Sequence, residues 1–250
     1  MRPTDAPLLR RSPLFARMTD AHISGLLLGT FAQTLPKGTT LCVQDERPEF
    51  LHIVMDGRVG LFADNKEGQR TVVEFFGCGD AFIAPAAMLD APYLMTATLI
   101  ADSRILMWPA GPFRAALKSD PDLSYGMSML LAGYWRSLVG QIKDLKLHTA
   151  VQRVAGFLVK LSPREHGPVT VRLPEGRNLI AARVGISPEC FSRAYAVLKH
   201  HGVSGGGRDV TIDDPQRLRD LAGGGWPTLP APAAAAATRR PPVNVEARAT

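Results

Sequence analysis

The stretch Arg177–Gly202, RNLIAARVGISPECFSRAYAVLKHHG, constrains this chain more than any other. Its apolar residues follow two helical periods separated by one glycine. Leu179, Ile180 and Val184 give a first helix its apolar face, and Ala181 leaves room for a second helix to cross closely. Gly185 stands where the chain must turn, and a residue without a Cβ enters positive φ cheaply. Ser187 offers an N-cap, Pro188 suits the first helical position, and Glu189 suits the positive end of the helix dipole. Phe191, Ala194, Tyr195 and Leu198 then fall on one side of a second helix.

The other side of that helix carries Glu189, Ser192, Arg193 and Ala196. A helix laid in the major groove meets base edges with its N-terminal residues. Arg193 can fork onto the O6 and N7 of guanine, and Glu189 can accept from the amine of cytosine. A carboxylate pressed toward phosphates is unfavourable, so Glu189 makes sense as a base reader. Ser192 and Pro188 complete the expected reading edge, while Arg177, Ser187, Lys199 and His200 are expected at phosphates. The plain alternative is a helical hairpin with a solvated polar face. Charge supports the first reading: residues 1–147 carry 15 basic and 15 acidic side chains, whereas residues 148–222 carry 11 and 7.

Upstream the texture differs. Residues 1–12 are expected to be disordered, and Ser12–Leu28 reads as one or two short helices with Thr19 as a cap. From Phe31 to Pro109, short apolar alternations separated by turn clusters predict a small antiparallel barrel or sandwich. Phe50–Val54 followed by Gly57–Phe62 reads as a hairpin. Pro109–Leu117 and Asp122–Leu147 turn helical, and in the longer helix Met127, Leu131, Tyr134, Leu138, Ile142 and Leu145 recur every three or four residues. Such a seam is a natural self-pairing surface, and a homodimer is expected.

Thr149–Leu161 reads as a further amphipathic helix and Pro168–Leu173 as a strand. After Gly202, GVSGGGRDVTI reads as a β-ribbon with Arg208 at its tip, facing phosphate, and Gln216–Ala222 as a last helix. The division expected is a sensor over 12–118, a dimerisation helix over 119–147, a DNA-binding unit over 148–222 and a disordered tail over 223–250. No apolar run suits a membrane span or a signal peptide, so a cytoplasmic protein is expected. Cys42, Cys78 and Cys190 form neither a disulfide framework nor a metal-binding pair. No nucleophile–base pair or phosphate loop appears, and no enzymatic activity is expected. A protein-interaction or haem-binding module that does not touch DNA is the rival from another class.

A strand-rich sensor, a long helix and a winged helix-turn-helix resemble the Crp/Fnr family of bacterial transcription regulators. The likeness covers residues 12–222 and rests on PKGTTL, FLHIVMDGRVGLF, GDAF, TAVQRVAGFLVKL, ISPECFSRAYAVLKHHGV and GRDVTIDD. It implies an α+β fold: an N-terminal double-stranded β-roll of cyclic-nucleotide-binding type, a dimerisation helix and a C-terminal winged helix-turn-helix. It also implies a homodimer that binds double-stranded promoter DNA, works with RNA polymerase and answers a small signal. Glu189, Ser192 and Arg193 match the pattern of the Fnr-like readers, which implies a palindrome near TTGAT-N4-ATCAA. Pro188 occupies the position that varies most between branches, leaving the outermost bases open.

For the signal, the family's cyclic-AMP binders hold ribose with a Glu and phosphate with an Arg. Here Ala84 stands in place of the Glu and Met95 in place of the Arg, and residues 71–103 contain no Lys or Arg. A buried phosphate without a cation is costly, so no cyclic nucleotide is expected. The N-terminal cysteines that would hold an iron–sulfur cluster are missing. Ile83, Ala84, Pro85, Met88, Leu89, Tyr93, Leu94 and Met95 form an apolar segment, similar to the nitric-oxide-responsive denitrification regulators of the family, that would line a haem pocket. His22, His52 and His148 are the candidate iron ligands, left open among the three, and no other metal is expected. An activator of anaerobic or nitrogen-oxide metabolism genes is the implied role. The alternative signal is oxidation of Cys190, at a helix N-terminus that favours thiolate, as in FixK-like members.

Overall fold

Two facing four-stranded antiparallel sheets account for the strand-rich residues in the computed structural model, which describes residues 5–223. The expected tail lies outside the described residues, apart from Gly223. Helices α1 (Asp5–Leu9) and α2 (Asp20–Leu26) lead into β1 (Phe31–Leu35), β2 (Thr40–Cys42), β3 (Phe50–Asp56), β4 (Arg58–Asp64), β5 (Arg70–Gly77) and β6 (Ala81–Phe82). Then come α3 (Ala84–Leu89), β7 (Thr96–Leu99), β8 (Ser103–Pro109), α4 (Ala110–Ser119) and the long α5 (Pro121–Leu147). The C-terminal part holds α6 (Ala150–Leu161), β9 (Val169–Arg172), α7 (Arg177–Arg183), α8 (Pro188–Lys199), β10 (Val203–Ser204), β11 (Asp209–Ile212) and α9 (Pro215–Leu221). One sheet runs β1-β8-β3-β6 and the other β2-β7-β4-β5, with Val54, Leu61, Phe76, Phe82, Tyr93 and Ile105 packed between them. A second core lies outside the first sheet, where Phe15, Trp108, Phe113, Leu123 and Met127 join α1, α2, α4 and the start of α5. A third fills the winged helix.

Two expectations fail here. The segment before Ser12 is ordered from Asp5: Leu9 is buried, and the Asp5 carboxylate receives both Nη atoms of Arg104 at 2.7 and 2.9 Å. A charged residue in a short polar stretch carries no local sign of a partner that lies 99 residues on. Nor do β3 and β4 form a hairpin. β3 pairs with β6 and β8, whereas β4 pairs with β5 and β7. Asp56–Gly57 is a corner that carries the chain from one sheet to the other. Gly57 has φ +89°, and a Cβ there would lie 2.2 Å from Ser103 Oγ, which itself accepts from Arg58 N at 2.9 Å. Turn residues between two apolar runs therefore mark a change of sheet as readily as a hairpin.

The long helix uses its two halves differently. Leu123, Gly126, Met127 and Leu130 are buried in the molecule's own core. Gly126 permits this, because a Cβ would fall 2.2 Å from the Leu14 carbonyl oxygen. Tyr134 packs edge-on to Phe76 at 5.8 Å and donates its hydroxyl to the Ala81 carbonyl. Met127 and Tyr134 are thus withdrawn from the seam assigned to pairing, and Leu131 is partly buried against the same core. From Trp135 onward the apolar residues face outward: Trp135 is 70% exposed and Ile142 51%, with Leu138, Val139 and Leu145 beside them.

Candidate nucleic-acid interface

The winged helix forms around α8. Thr149 opens α6 with a reciprocal capping box to Gln152, and α6 lays Val154, Ala155 and Leu158 against α8. The α7–α8 turn follows from Gly185 at φ +70°, with Ala181 fully buried beneath it. A Cβ on Gly185 would also meet Leu145 Cδ2 at 2.5 Å, so this glycine serves both the turn and the approach of α5. Ser187 caps α8 by accepting from Cys190 N at 3.2 Å, and Pro188 follows at the first turn. Phe191, Ala194, Tyr195 and Leu198 are buried, while Pro188, Glu189, Ser192, Arg193, Ala196, Lys199 and His200 are exposed.

The exposed face presents a carboxylate and a guanidinium one helical turn apart. A hydrogen bond from Ser187 and the nearby Arg193 hold the Glu189 carboxyl below the usual range, so it remains an acceptor. Ser192 Oγ donates to the Pro188 carbonyl at 3.0 Å, which fixes its rotamer on the same face. Val197, 43% exposed, adds an apolar spot beside Arg193 that the polar pattern did not flag. Such a set can donate in a fork, accept from an amine and touch a methyl group, the three contacts that a major-groove edge offers.

Not every residue expected at phosphate stands free. The wing, β10 paired to β11, is tied to α8 by the Tyr195 hydroxyl, which donates to the carbonyls of Ser204 and Gly205 at 3.2 and 3.3 Å. Arg177 stacks its guanidinium over the Tyr195 ring at 4.4 Å, with Nε and Nη2 buried. Arg208, about half exposed at the wing tip, is turned back onto its own domain. Its Nε donates to the Leu173 carbonyl at 3.1 Å, Nη2 donates to the Pro174 carbonyl, and Glu175 lies 4.0 Å away. A flexible cation close to unpaired carbonyls turns back onto them.

The expected sensor segment does not gather into one pocket wall. Residues Ala84–Leu89 form α3, with Ala84 and Ala87 buried. Tyr93, Ile83 and Met95 pack between the sheets, Met88 packs on the opposite core, and Leu89 and Leu94 are 75% and 82% exposed. The three candidate iron ligands are scattered. His22 Nε2 meets Asp120 at 2.6 Å at the start of α5, and His148 meets Asp144 at 3.4 Å at its end. A 27-residue helix spans about 40 Å, so these two are far apart. His52 is buried and stacked on Phe82 at 5.5 Å, and burial pushes its pKa down to about 4. Among the thiols, burial raises those of Cys42 and Cys78, while Cys190 is half-exposed on α8.

Sequence comparison matches a cyclic nucleotide-binding domain over residues 32–120 and a Crp-like helix-turn-helix domain over residues 152–221. The chain is similar to the CRP-like cAMP-activated global transcriptional regulator of Mycobacterium tuberculosis, 26% identical over 216 residues that cover 84% of this chain and 96% of that protein. It is also similar to the transcriptional activator protein FnrL of Cereibacter sphaeroides, 26% identical over 235 residues, covering 88% of this chain and 91% of that protein. Among solved structures, a regulatory protein from Silicibacter pomeroyi DSS-3 is 32% identical and superposes with a TM-score of 0.61, covering 89% of this chain and 100% of that one. Among the described residues, no helix is long and apolar enough to cross a membrane.

Proposed function

The chain belongs to the Crp/Fnr family and is a Crp-like DNA-binding transcriptional regulator, and we propose that it acts as a homodimer whose two α8 helices enter successive major grooves of one duplex. The proposed site is a palindrome near TTGAT-N4-ATCAA, with Arg193 on guanine and Glu189 on cytosine. Self-pairing through Trp135, Leu138, Val139 and Ile142 would cover the outward apolar half of α5 and set the two-fold axis. The proposed output is activation, with RNA polymerase, of anaerobic or nitrogen-oxide metabolism genes, in keeping with similarity to an activator protein. No catalysis is part of this reading.

One observation carries it: Arg193 and Glu189 are exposed on the face of α8 opposite its buried Phe191 and Leu198. Arg193→Ala should cost about 1–3 kcal/mol on the specific palindrome and leave random-sequence affinity nearly unchanged. Measured binding to the two duplexes checks this; an unchanged affinity ratio would mean that α8 does not read bases.

For the signal, a cyclic nucleotide fits poorly, although the M. tuberculosis relative is cAMP-activated, because residues 71–103 hold no cation for its phosphate. Haem-borne nitric oxide sensing fits the residues no better. His22 and His148 are engaged with carboxylates at opposite ends of α5, and His52 is packed among aromatic rings. A second reading rests on Cys190, half-exposed on α8, where oxidation to an acid would set negative charge against phosphate. Peroxide should then weaken palindrome binding by the parent protein and not by Cys190→Ser.

A further inference from the structure

The wing is held at its base and at its tip by different means. Val203, Val210 and Ile212 are buried in the core of the winged helix and hold the base. From Ser204 to Asp209 every residue is exposed, and three of the six are glycine, so burial of apolar surface does not hold the tip. One side of the tip is tied by Arg208 to the Leu173 and Pro174 carbonyls, in the stretch after β9. Its tie to α8 is a single oxygen: the Tyr195 hydroxyl shares its proton between the Ser204 and Gly205 carbonyls, at 3.2 and 3.3 Å. Gly205 suits that grip. It stands at φ +99°, and a Cβ there would lie 2.5 Å from the Asp209 carbonyl oxygen across the ribbon.

The ring that carries this oxygen is itself fixed. Tyr195 is buried, and Phe191, one turn earlier on α8, stacks on it at 6.2 Å and 15° from parallel. The guanidinium of Arg177, the first residue of α7, lies 4.4 Å from the ring centroid. Arg177 Nε and Nη2 are buried there with no hydrogen-bond partner. Burying a cation with unmade hydrogen bonds is costly, and the π face of the ring offsets that cost. Burial also raises the pKa of the phenol, which therefore keeps the proton it donates. One side chain thus joins the start of α7, the inner face of α8 and the wing. Tyr195 lies two residues from Arg193 and on the opposite side of the helix, so a single rigid turn relates the tip to the reading face.

We propose that Tyr195 is a positioning residue for DNA binding: its hydroxyl holds the wing tip at the offset from Arg193 and Glu189 at which helix and wing meet the same duplex. The role rests on the DNA-binding reading above. Tyr195 touches neither base nor phosphate; it acts through the Ser204 and Gly205 carbonyls, which fix where the tip stands. Phosphate contacts set register and carry no sequence information, so a misplaced tip weakens binding to every sequence alike. Removing the hydroxyl leaves the core filled, so its loss tells on binding more than on folding.

The test is Tyr195→Phe in the full-length protein, which keeps the ring, its stack on Phe191 and its contact with Arg177, and removes one oxygen. The melting temperature should stay within about 4 °C of the parent. Affinity for the palindrome and for a random duplex should fall together by about 3- to 10-fold. The slope of log affinity against log salt should flatten by about one for each wing. Backbone ¹⁵N order parameters should drop at Ser204 and Gly205 and stay unchanged along α8. Gly206 supplies the opposite change, because a Cβ there has no atom within 4 Å. Gly206→Lys should strengthen binding and steepen the salt slope in the parent, and do so less in the Tyr195→Phe background. Unchanged affinity and slope in Tyr195→Phe overturn the positioning role, and so does a loss confined to the palindrome, which would make the phenol a support for α8 alone. Failure of the parent to bind either duplex would overturn the DNA reading; the two failures are distinct, because loss of the positioning role leaves parent binding intact.

Discussion

Helix α8 has seven apolar residues among 12 and the segment Ile83–Met95 ten among 13, and the two meet the rest of the molecule in different ways. In α8 one face is buried and the other exposed, and the boundary follows the helical period. In Ile83–Met95 neighbouring apolar side chains separate into two different cores and into solvent. The difference is one of context. α8 rests on one continuous core formed by α6, α7 and the wing strands, so one stripe suffices. The Ile83–Met95 segment passes between two sheets, α4 and open solvent, and each residue answers to whichever neighbour it meets.

Three substitutions would sharpen or break that contrast. The largest effect is expected from Phe191→Ala on the inner face of α8. It removes a fully buried ring stacked on Tyr195 at 6.2 Å and should destabilise the protein by about 3–5 kcal/mol in urea or thermal melts. A loss near zero would mean that α8 is not anchored by its inner face.

The next concerns His52, which lies under the start of the other segment, stacked on Phe82. Burial lowers its pKa from 6.5 to about 4. The folded state therefore resists a proton that the unfolded chain accepts. The stability contributed is present above pH 6.5 and is lost as pH falls toward 4. His52→Phe keeps a ring in place, removes the buried Nδ1 and should flatten this slope, a difference of about 1–3 kcal/mol at the acid end. Melts at pH 4.5 and 7.5 would reveal it. The smallest change is expected at Leu94, which is 82% exposed: Leu94→Ser should shift stability by no more than about 0.5 kcal/mol. A loss of several kcal/mol would show that this side chain is covered in solution.

Much of the winged helix was legible beforehand. Gly185, the Ser187 cap, Pro188 and the spacing of Phe191, Tyr195 and Leu198 all act within a few residues of one another, which is the range that periodicity and capping report. The strand-rich texture of residues 31–109 likewise foretold the sheets. The membership of β3 and β4 in different sheets was not legible, because Gly57 turns against Ser103, far along the chain. The seam of α5 was only partly legible. Met127, Tyr134 and Ile142 share one sequence stripe, but the β-roll covers only the part of the helix that passes over it.

By itself the sequence determined the strand-rich texture of residues 31–109, the helices from α4 onward, the Ser187 cap, the α8 face that carries Arg193, and the want of a cation between Arg70 and Arg104, since each depends on residue identity and short-range spacing; it missed α1 and α3. Only the tertiary structure decided that Glu74 grips Arg183 and that Arg208 folds back beside Glu175. Glu74 and Arg183 lie 109 residues apart. A charged side chain carries no local sign of its partner; the pairing exists only once the two bodies pack and water is largely removed from between them.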